Sequence, residues 1–213
     1  IYKRKQFDFY NIVSPMWSPD GGKIAFAALK GHKRDIYVYH IDSDVIEQVT
    51  DDRYDDHSPS WMPNSAGLVF SSDRPHPSSQ MAQAEDNAYV SAGAYLPGDF
   101  EYGFYNIFRV DLGNYNVSPV DVGSGQNTYP MVSPDGSKVA FISNRNGIDN
   151  IYIAYLDSSK YFPITDILTG VRSISWSPDG EKIAFSAFNK GAFDIFLMRD
   201  LTPSGENGIL AAT

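Results

Sequence analysis

"WSPDGGKIAF" at residues 17–26 and "WSPDGEKIAF" at residues 176–185 are identical at nine of ten positions, and the copies start 159 residues apart. A ten-residue stretch written twice asks first for a repeat period. Two looser versions stand between them, "WMPNSAGLVF" at 61–70 and "VSPDGSKVAF" at 132–141. Trp17, Trp61, Val132 and Trp176 therefore share one slot, at spacings of 44, 71 and 44 residues, and 71 is 44 plus an insertion of 27.

Independent markers test this register. Asp35, Asn106, Asn150 and Asp194 each open a triplet with Ile and an aromatic residue, 18 positions after the slot in units one, three and four and 45 after it in unit two. The same 27 residues thus fall between the markers, at about residues 75–101. Thr50, Asp121, Thr165 and Ile209 follow 15 residues after each triplet begins.

Each unit reads as four short strands. The first ends at the slot, and "SPDG" supplies a tight turn: Pro fixes φ, Asp bonds nearby backbone, and Gly accepts positive φ. A short apolar strand such as "KIAF" follows, then a third strand such as "DIYVYHID", a polar turn and a brief fourth strand. Four-stranded units of 40–50 residues predict an all-β fold, a WD40-like β-propeller whose blades cover one another's faces. The blades are expected at about 11–51, 55–122, 126–166 and 170–212. In that arrangement Trp17, Trp61 and Trp176 pack between blades. The position of Asp35, Asn106, Asn150 and Asp194 at the start of the third strand predicts a structural role, with side chains bonding nearby turn backbone.

Composition supports this class and removes others. The 14 Tyr, 13 Phe, 17 Gly and 13 Pro suit short strands and frequent turns. A formal net charge of −9 opposes binding to phosphate backbones, so no nucleic acid partner is expected. There is no Cys, and no apolar run has the length of a transmembrane helix. The chain also holds no G-x-S-x-G nucleophile elbow and no paired His of a zinc-protease helix, so no catalytic residue is assigned and the chain is not expected to be an enzyme.

"SPMWSPDGGKIAFAA", "DDHSPSWMPNSAGLVFSSDR", "YPMVSPDGSKVAFISNRNGIDNIYIAYLD" and "ISWSPDGEKIAFSAFNKGAFDIFLMRD" resemble the TolB-like propeller family from about Ser14 to Arg199. "DDRYDDHSPSWMPNSAGLVFSSDR" with "TDILTGVRSISWSPDG" is further similar to the propeller parts of larger bacterial envelope proteins. The resemblance implies a periplasmic or otherwise extracytoplasmic, non-catalytic module that binds a protein or peptide. The alternative is the substrate-gating propeller of a larger peptidase or hydrolase whose catalytic domain lies outside this chain. TolB-like propellers close with six blades, whereas about four are counted here. The chain is therefore expected to be a fragment of a longer ring, or else an unusual closed ring of four. Exposed blade faces would make a fragment self-associate.

In a propeller the loop between second and third strands shares a rim with the connection between blades. The insertion carries Glu85, Asp86, Asp99 and Glu101 with the aromatics Tyr89, Tyr95 and Phe100, and Tyr102 follows it. The connection before blade two carries Asp51, Asp52, Asp55, Asp56 and His57. An acidic, aromatic rim is expected, suited to a protein or peptide partner. No cofactor is expected. Such oxygen ligands could hold Ca²⁺, but "DDRYDD" lacks the spacing of a calcium loop.

Overall fold

The computed structural model describes residues 8–75 and 104–202. Its strands are β1 (Asn11–Trp17), β2 (Lys23–Lys30), β3 (Lys33–His40), β4 (Val45–Gln48), β5 (Asp56–Trp61), β6 (Gly67–Ser72), β7 (Asn106–Asp111) and β8 (Val117–Pro119). They continue as β9 (Asn127–Val132), β10 (Lys138–Ser143), β11 (Asn150–Tyr155), β12 (Tyr161–Pro163), β13 (Val171–Trp176), β14 (Ile183–Asn189) and β15 (Ala192–Met198). Neighbours in sequence pair antiparallel into four sheets, β1–β4, β5–β8, β9–β12 and β13–β15. The result is an all-β propeller of four blades. The first three have four strands and the fourth has three among the described residues. A fourth strand expected near Ile209 lies outside them.

The turn after each slot is held by its own side chains. Ser18 Oγ donates to Asp20 Oδ1 at 2.5 Å, which also accepts the Gly22 amide, while the Lys23 amide donates back to Ser18 Oγ at 2.9 Å. Ser133 with Asp135, and Ser177 with Asp179, repeat the network. Hydrogen bonds from Ser133 and Ser137 hold the Asp135 carboxyl down at about 2. Gly21, Gly136 and Gly180 sit at φ of 73°, 74° and 73°, the left-handed region the turn demands.

Blade two replaces "SPDG" with "MPNS", and packing supplies a reason. Ser65 takes the positive-φ position, its Oγ accepts the Asp20 amide at 3.2 Å, and its carbonyl accepts Lys23 Nζ at 3.1 Å. The turn of blade two is thereby tied to the turn of blade one.

The core lies between blades. Ala25, Ala27, Ile36 and Val38 of blade one meet Trp61, Leu68, Phe70 and Phe108 of blade two. Val69 and Ile107 face Val139 and Phe141, and Ile151 and Ile153 face Ile183 and Phe185. The slot tryptophans lock this packing: Trp61 Nε1 donates to the Met16 carbonyl at 3.0 Å and Trp176 Nε1 to the Met131 carbonyl at 2.8 Å, each reaching back one blade. Trp17 departs from the expected packing. It is 62 % exposed, because no described strand stands before the first blade to receive it.

The innermost strands share a kink. Ser14, Ser58 and Tyr129 adopt φ of 53°, 53° and 52° at equivalent positions, each before a proline, and the ladder register shifts there. Proline has no amide hydrogen for the ladder, so the extra residue of a bulge is tolerated at this point.

Thr50 and Thr165 explain the third marker. Their hydroxyls accept the Ile36 and Ile151 amides at 2.9 and 2.8 Å and so pin the chain leaving each blade. Among the opening residues of the third strands, Asn150 Oδ1 accepts from Thr165 Oγ1 and the Ile167 amide, both at 2.8 Å. Asp35 accepts from Gln48, Asn106 from Asn127 and Asp194 from Asn189.

Trp61 is buried and Trp17 is not, so alanine at the two sites separates burial from mere presence of the motif. Trp61→Ala is expected to cost about 3–5 kcal/mol, and Trp17→Ala less than about 0.5 kcal/mol in a single copy. Urea unfolding at low protein concentration measures both.

Candidate functional site

The rim of blade two is where the sequence concentrates charge, and its geometry is organised by Arg74. This residue follows β6 and is buried. Its Nη1 donates to Asp56 Oδ1 at 2.6 Å and to Ser72 Oγ at 2.8 Å, and its Nη2 donates to Asp56 Oδ2 at 3.2 Å and to the Asp52 carboxylate. The guanidinium lies 5.2 Å from the Tyr54 ring centre and 5.4 Å from that of Phe70. A planar fork matched to a carboxylate and bordered by rings is an environment suited to a buried Arg. Asp56 is wholly buried, and burial pushes its carboxyl up to about 7 against the pull of Arg74.

A second layer surrounds this pair. Arg34 Nη1 donates to Asp55 Oδ2 at 3.1 Å, and the Tyr105 hydroxyl donates to the same oxygen at 2.7 Å. The Asp55 amide donates to Asp73 Oδ1 at 2.8 Å, and Lys33 Nζ donates to Asp51 Oδ1 at 2.8 Å. The Asp51, Asp52, Asp55 and Asp56 carboxylates thus each meet a cation from Lys33, Arg34 or Arg74. Residues that look acidic in sequence are ion-paired in space. His57 sits beside this network, its Nδ1 2.9 Å from Ser58 Oγ and its ring edge-on to Tyr105 at 4.3 Å between centroids. Burial lowers the His57 pKa to about 4, so the ring is neutral at physiological pH.

These residues form the root of the insertion. β6 leads into it through Asp73 and Arg74, and the described chain resumes at Phe104 and Tyr105. Glu85, Asp86, Tyr89, Tyr95, Asp99, Phe100, Glu101 and Tyr102 lie outside the described residues. Among the described residues, no group of three or more His, Asp or Glu side chains is arranged to hold a metal ion, and Asp51, Asp52, Asp55 and Asp56 do not converge on one.

Reading charge along the chain missed Lys33, Arg34, Arg74 and Tyr105, all distant in sequence from "TDDRYDD". A repeat signal for Arg74 was nevertheless present: Ser72-Asp73-Arg74 and Ser143-Asn144-Arg145 are 71 residues apart, the same offset as the slots. Arg145 occupies the matching place in blade three. It donates to Asn127 Oδ1 at 3.1 Å, to Ser143 Oγ at 3.0 Å and to the Val122 carbonyl, with its guanidinium 4.2 Å from the Tyr152 ring centre. Asn127 stands where blade two has Asp56. One structural device is therefore neutral in blade three and ionic in blade two, on the blade with the insertion.

No protein-family profile matches the chain. It is 23 % identical over 180 residues to an uncharacterized protein of Agrobacterium fabrum, a match spanning 79 % of this chain and 52 % of that one. The chain thus spans about half the length of that curated relative. A 79-residue stretch, 37 % of the chain and 12 % of its relative, is 44 % identical to an uncharacterized peptidase of Bacillus subtilis. Among solved structures, TolB from Acinetobacter baumannii superposes with a TM-score of 0.68 at 22 % identity, over 89 % of this chain and 41 % of that one. An Agrobacterium tumefaciens protein described as a TolB gives 0.72 at 20 % identity, over 93 % and 65 %. Puromycin hydrolase gives 0.63 at 13 % identity, over 90 % and 27 %. The class is a β-propeller, and the fold is the one seen in TolB.

Two tests follow from the Arg74 centre. Arg74→Met leaves Asp56 buried and uncompensated and is expected to cost about 3–5 kcal/mol, whereas Arg145→Met strands neutral acceptors at about 1–3 kcal/mol; chemical denaturation compares the two. For His57 the folded pKa lies below the value of about 6.5 of an unfolded His. Its neutral form therefore contributes stability that is full above that pH and is lost as pH falls toward the folded value. Between about pH 7.5 and pH 5, wild type is expected to lose about 2 kcal/mol relative to His57→Gln, read from paired denaturation curves.

Proposed function

We propose that the chain is a non-catalytic β-propeller module that binds a protein or peptide partner in the bacterial cell envelope, in an extracytoplasmic compartment, as one arc of a larger ring. The observation that carries this reading is the placement of the insertion. It leaves the rim between β6 and β7, from a root braced by the buried Arg74–Asp56 pair and the Arg34–Asp55–Tyr105 contacts. A binding segment that leaves a rigid root loses less freedom on binding than one that leaves a soft root. The aromatic residues of the insertion, among them Tyr89, Tyr95 and Phe100, provide the kind of anchors that carry interface energy. The likeness in fold to TolB supports the envelope setting.

The propeller of a larger peptidase is the second reading. The 44 % identical stretch shared with the Bacillus subtilis peptidase and the fold shared with puromycin hydrolase favour it. Under it the present chain restricts access to a nucleophile carried by another part of the polypeptide.

Deleting residues 76–100 tests the first reading. Cross-linking in cells is expected to give specific adducts with the wild-type protein that vanish from the deletion variant, at unchanged thermal stability. The same adducts from both proteins would overturn it. A serine-reactive fluorophosphonate probe tests the second: labelling of the full-length gene product, outside residues 1–213, is the result that reading requires.

A further inference from the structure

The sequence holds two Asn-Gly pairs, 146–147 and 207–208, and three Asp-Gly pairs, 20–21, 135–136 and 179–180. A glycine in second place leaves its main-chain nitrogen free to approach the preceding side chain, since no Cβ stands in the way. Asn207 and Gly208 lie outside the described residues. Asn146 and Gly147 stand at the tip of the hairpin between β10 and β11.

The three Asp-Gly pairs are protected by the turns they form. Each carboxylate accepts from a serine hydroxyl, of Ser18, Ser133 or Ser177, and from the backbone amide two residues on. These bonds hold all three carboxyls below their ordinary range and so ionised. An ionised carboxylate repels a nucleophile and offers no leaving group. Asn146 differs on both counts, because its amide is neutral and keeps an electrophilic carbon at every pH. The residue is exposed, and Gly147 adopts φ of 84° with open space where a side chain would project. The Gly147 amide donates to the Asn144 carbonyl at 2.6 Å, a restraint set at a hairpin tip, where local opening costs least.

We propose that Asn146–Gly147 is a site of spontaneous deamidation that brings a carboxylate to the Arg145 centre of blade three. Hydroxide takes the Gly147 amide proton, the nitrogen bonds to Asn146 Cγ, and the Cγ–Nδ2 bond breaks, with Nδ2 leaving as ammonia after taking a proton from water. Water then opens the cyclic imide at either carbonyl and leaves aspartate or isoaspartate at position 146. A neutral side chain becomes a negative one with no oxidant or cofactor consumed.

The charge arises where blade three has none. Arg145 donates to Ser143, Asn127 and the Val122 carbonyl, all neutral, whereas Arg74 meets Asp52 and Asp56. The Arg145 guanidinium lies 4.2 Å from the Tyr152 ring centre, and Asn146 Nδ2 donates to the hydroxyl of that same ring at 3.2 Å. The new carboxylate therefore forms at the edge of the ring whose face carries the cation. Slow chemistry moves the neutral Arg centre of blade three toward the ionic form of blade two. This inference rests on blade three alone and is independent of partner binding through the insertion.

Incubating the full 213-residue chain, folded, at mildly alkaline pH and mapping its peptides by mass spectrometry tests the site. The peptide holding Asn146 is expected to gain the mass of an NH2-to-OH exchange and to separate into aspartate and isoaspartate forms. Asn146→Gln, which keeps an exposed amide but must close a larger ring, is expected to lose that conversion. An Asn146 peptide that stays unchanged in the folded chain overturns the proposal, and the peptide holding Asn207 is followed separately in the same digest. The consequence for Arg145 is read from urea midpoints. Arg145→Met is expected to lower the midpoint further in an Asn146→Asp background than in wild type; equal shifts overturn the delivery of charge to Arg145.

Discussion

Everything in this fold depends on one blade covering the next. A sheet of four short strands has two apolar faces and cannot bury both by itself. Ala25, Ile36 and Val38 on one side and Phe70 and Phe108 on the other become a core only when two blades meet. The Trp61 and Trp176 indoles add direction to this otherwise unspecific burial, because each donates to a carbonyl one blade back. Exposure of the same residue type at Trp17 shows that the motif alone does not bury the ring; a preceding blade does.

The repeat also explains where blade two diverges. Ser65 replaces a turn glycine and ties its turn to that of blade one, and Asp56 replaces the Asn127 of blade three to make the Arg centre ionic. Buried ion pairs are often no more stabilising than apolar packing, but they fix geometry because a displaced partner is left uncompensated. That fixed geometry stands at the root of the insertion, at Asp73 and Arg74. The charges read from sequence as an acidic patch serve in the structure to brace the rim.

Much of the fold was legible in the sequence. The slot spacings and the triplets gave the blade count and the strand order, and the Thr50 and Thr165 hydroxyls now have a physical role in accepting the Ile36 and Ile151 amides. The site was legible only in part. Asp52, Asp55 and Asp56 stood out as a charge run, whereas Arg34 and Arg74, about twenty residues away on either side, did not. A local reading cannot pair charges that only adjacent strands and adjacent blades bring within 3.2 Å.

The sequence by itself determined the period, the turns and the alternation of strands, because these rest on local physics: proline and glycine dihedrals, Asx hydrogen bonds, and side chains alternating between two faces. Tertiary structure decided which tryptophans are buried and that Asp51, Asp52, Asp55 and Asp56 meet Lys33, Arg34 and Arg74. Those outcomes turn on contacts between blades, and burial at such a contact is a property of two surfaces together that neither stretch of sequence carries alone.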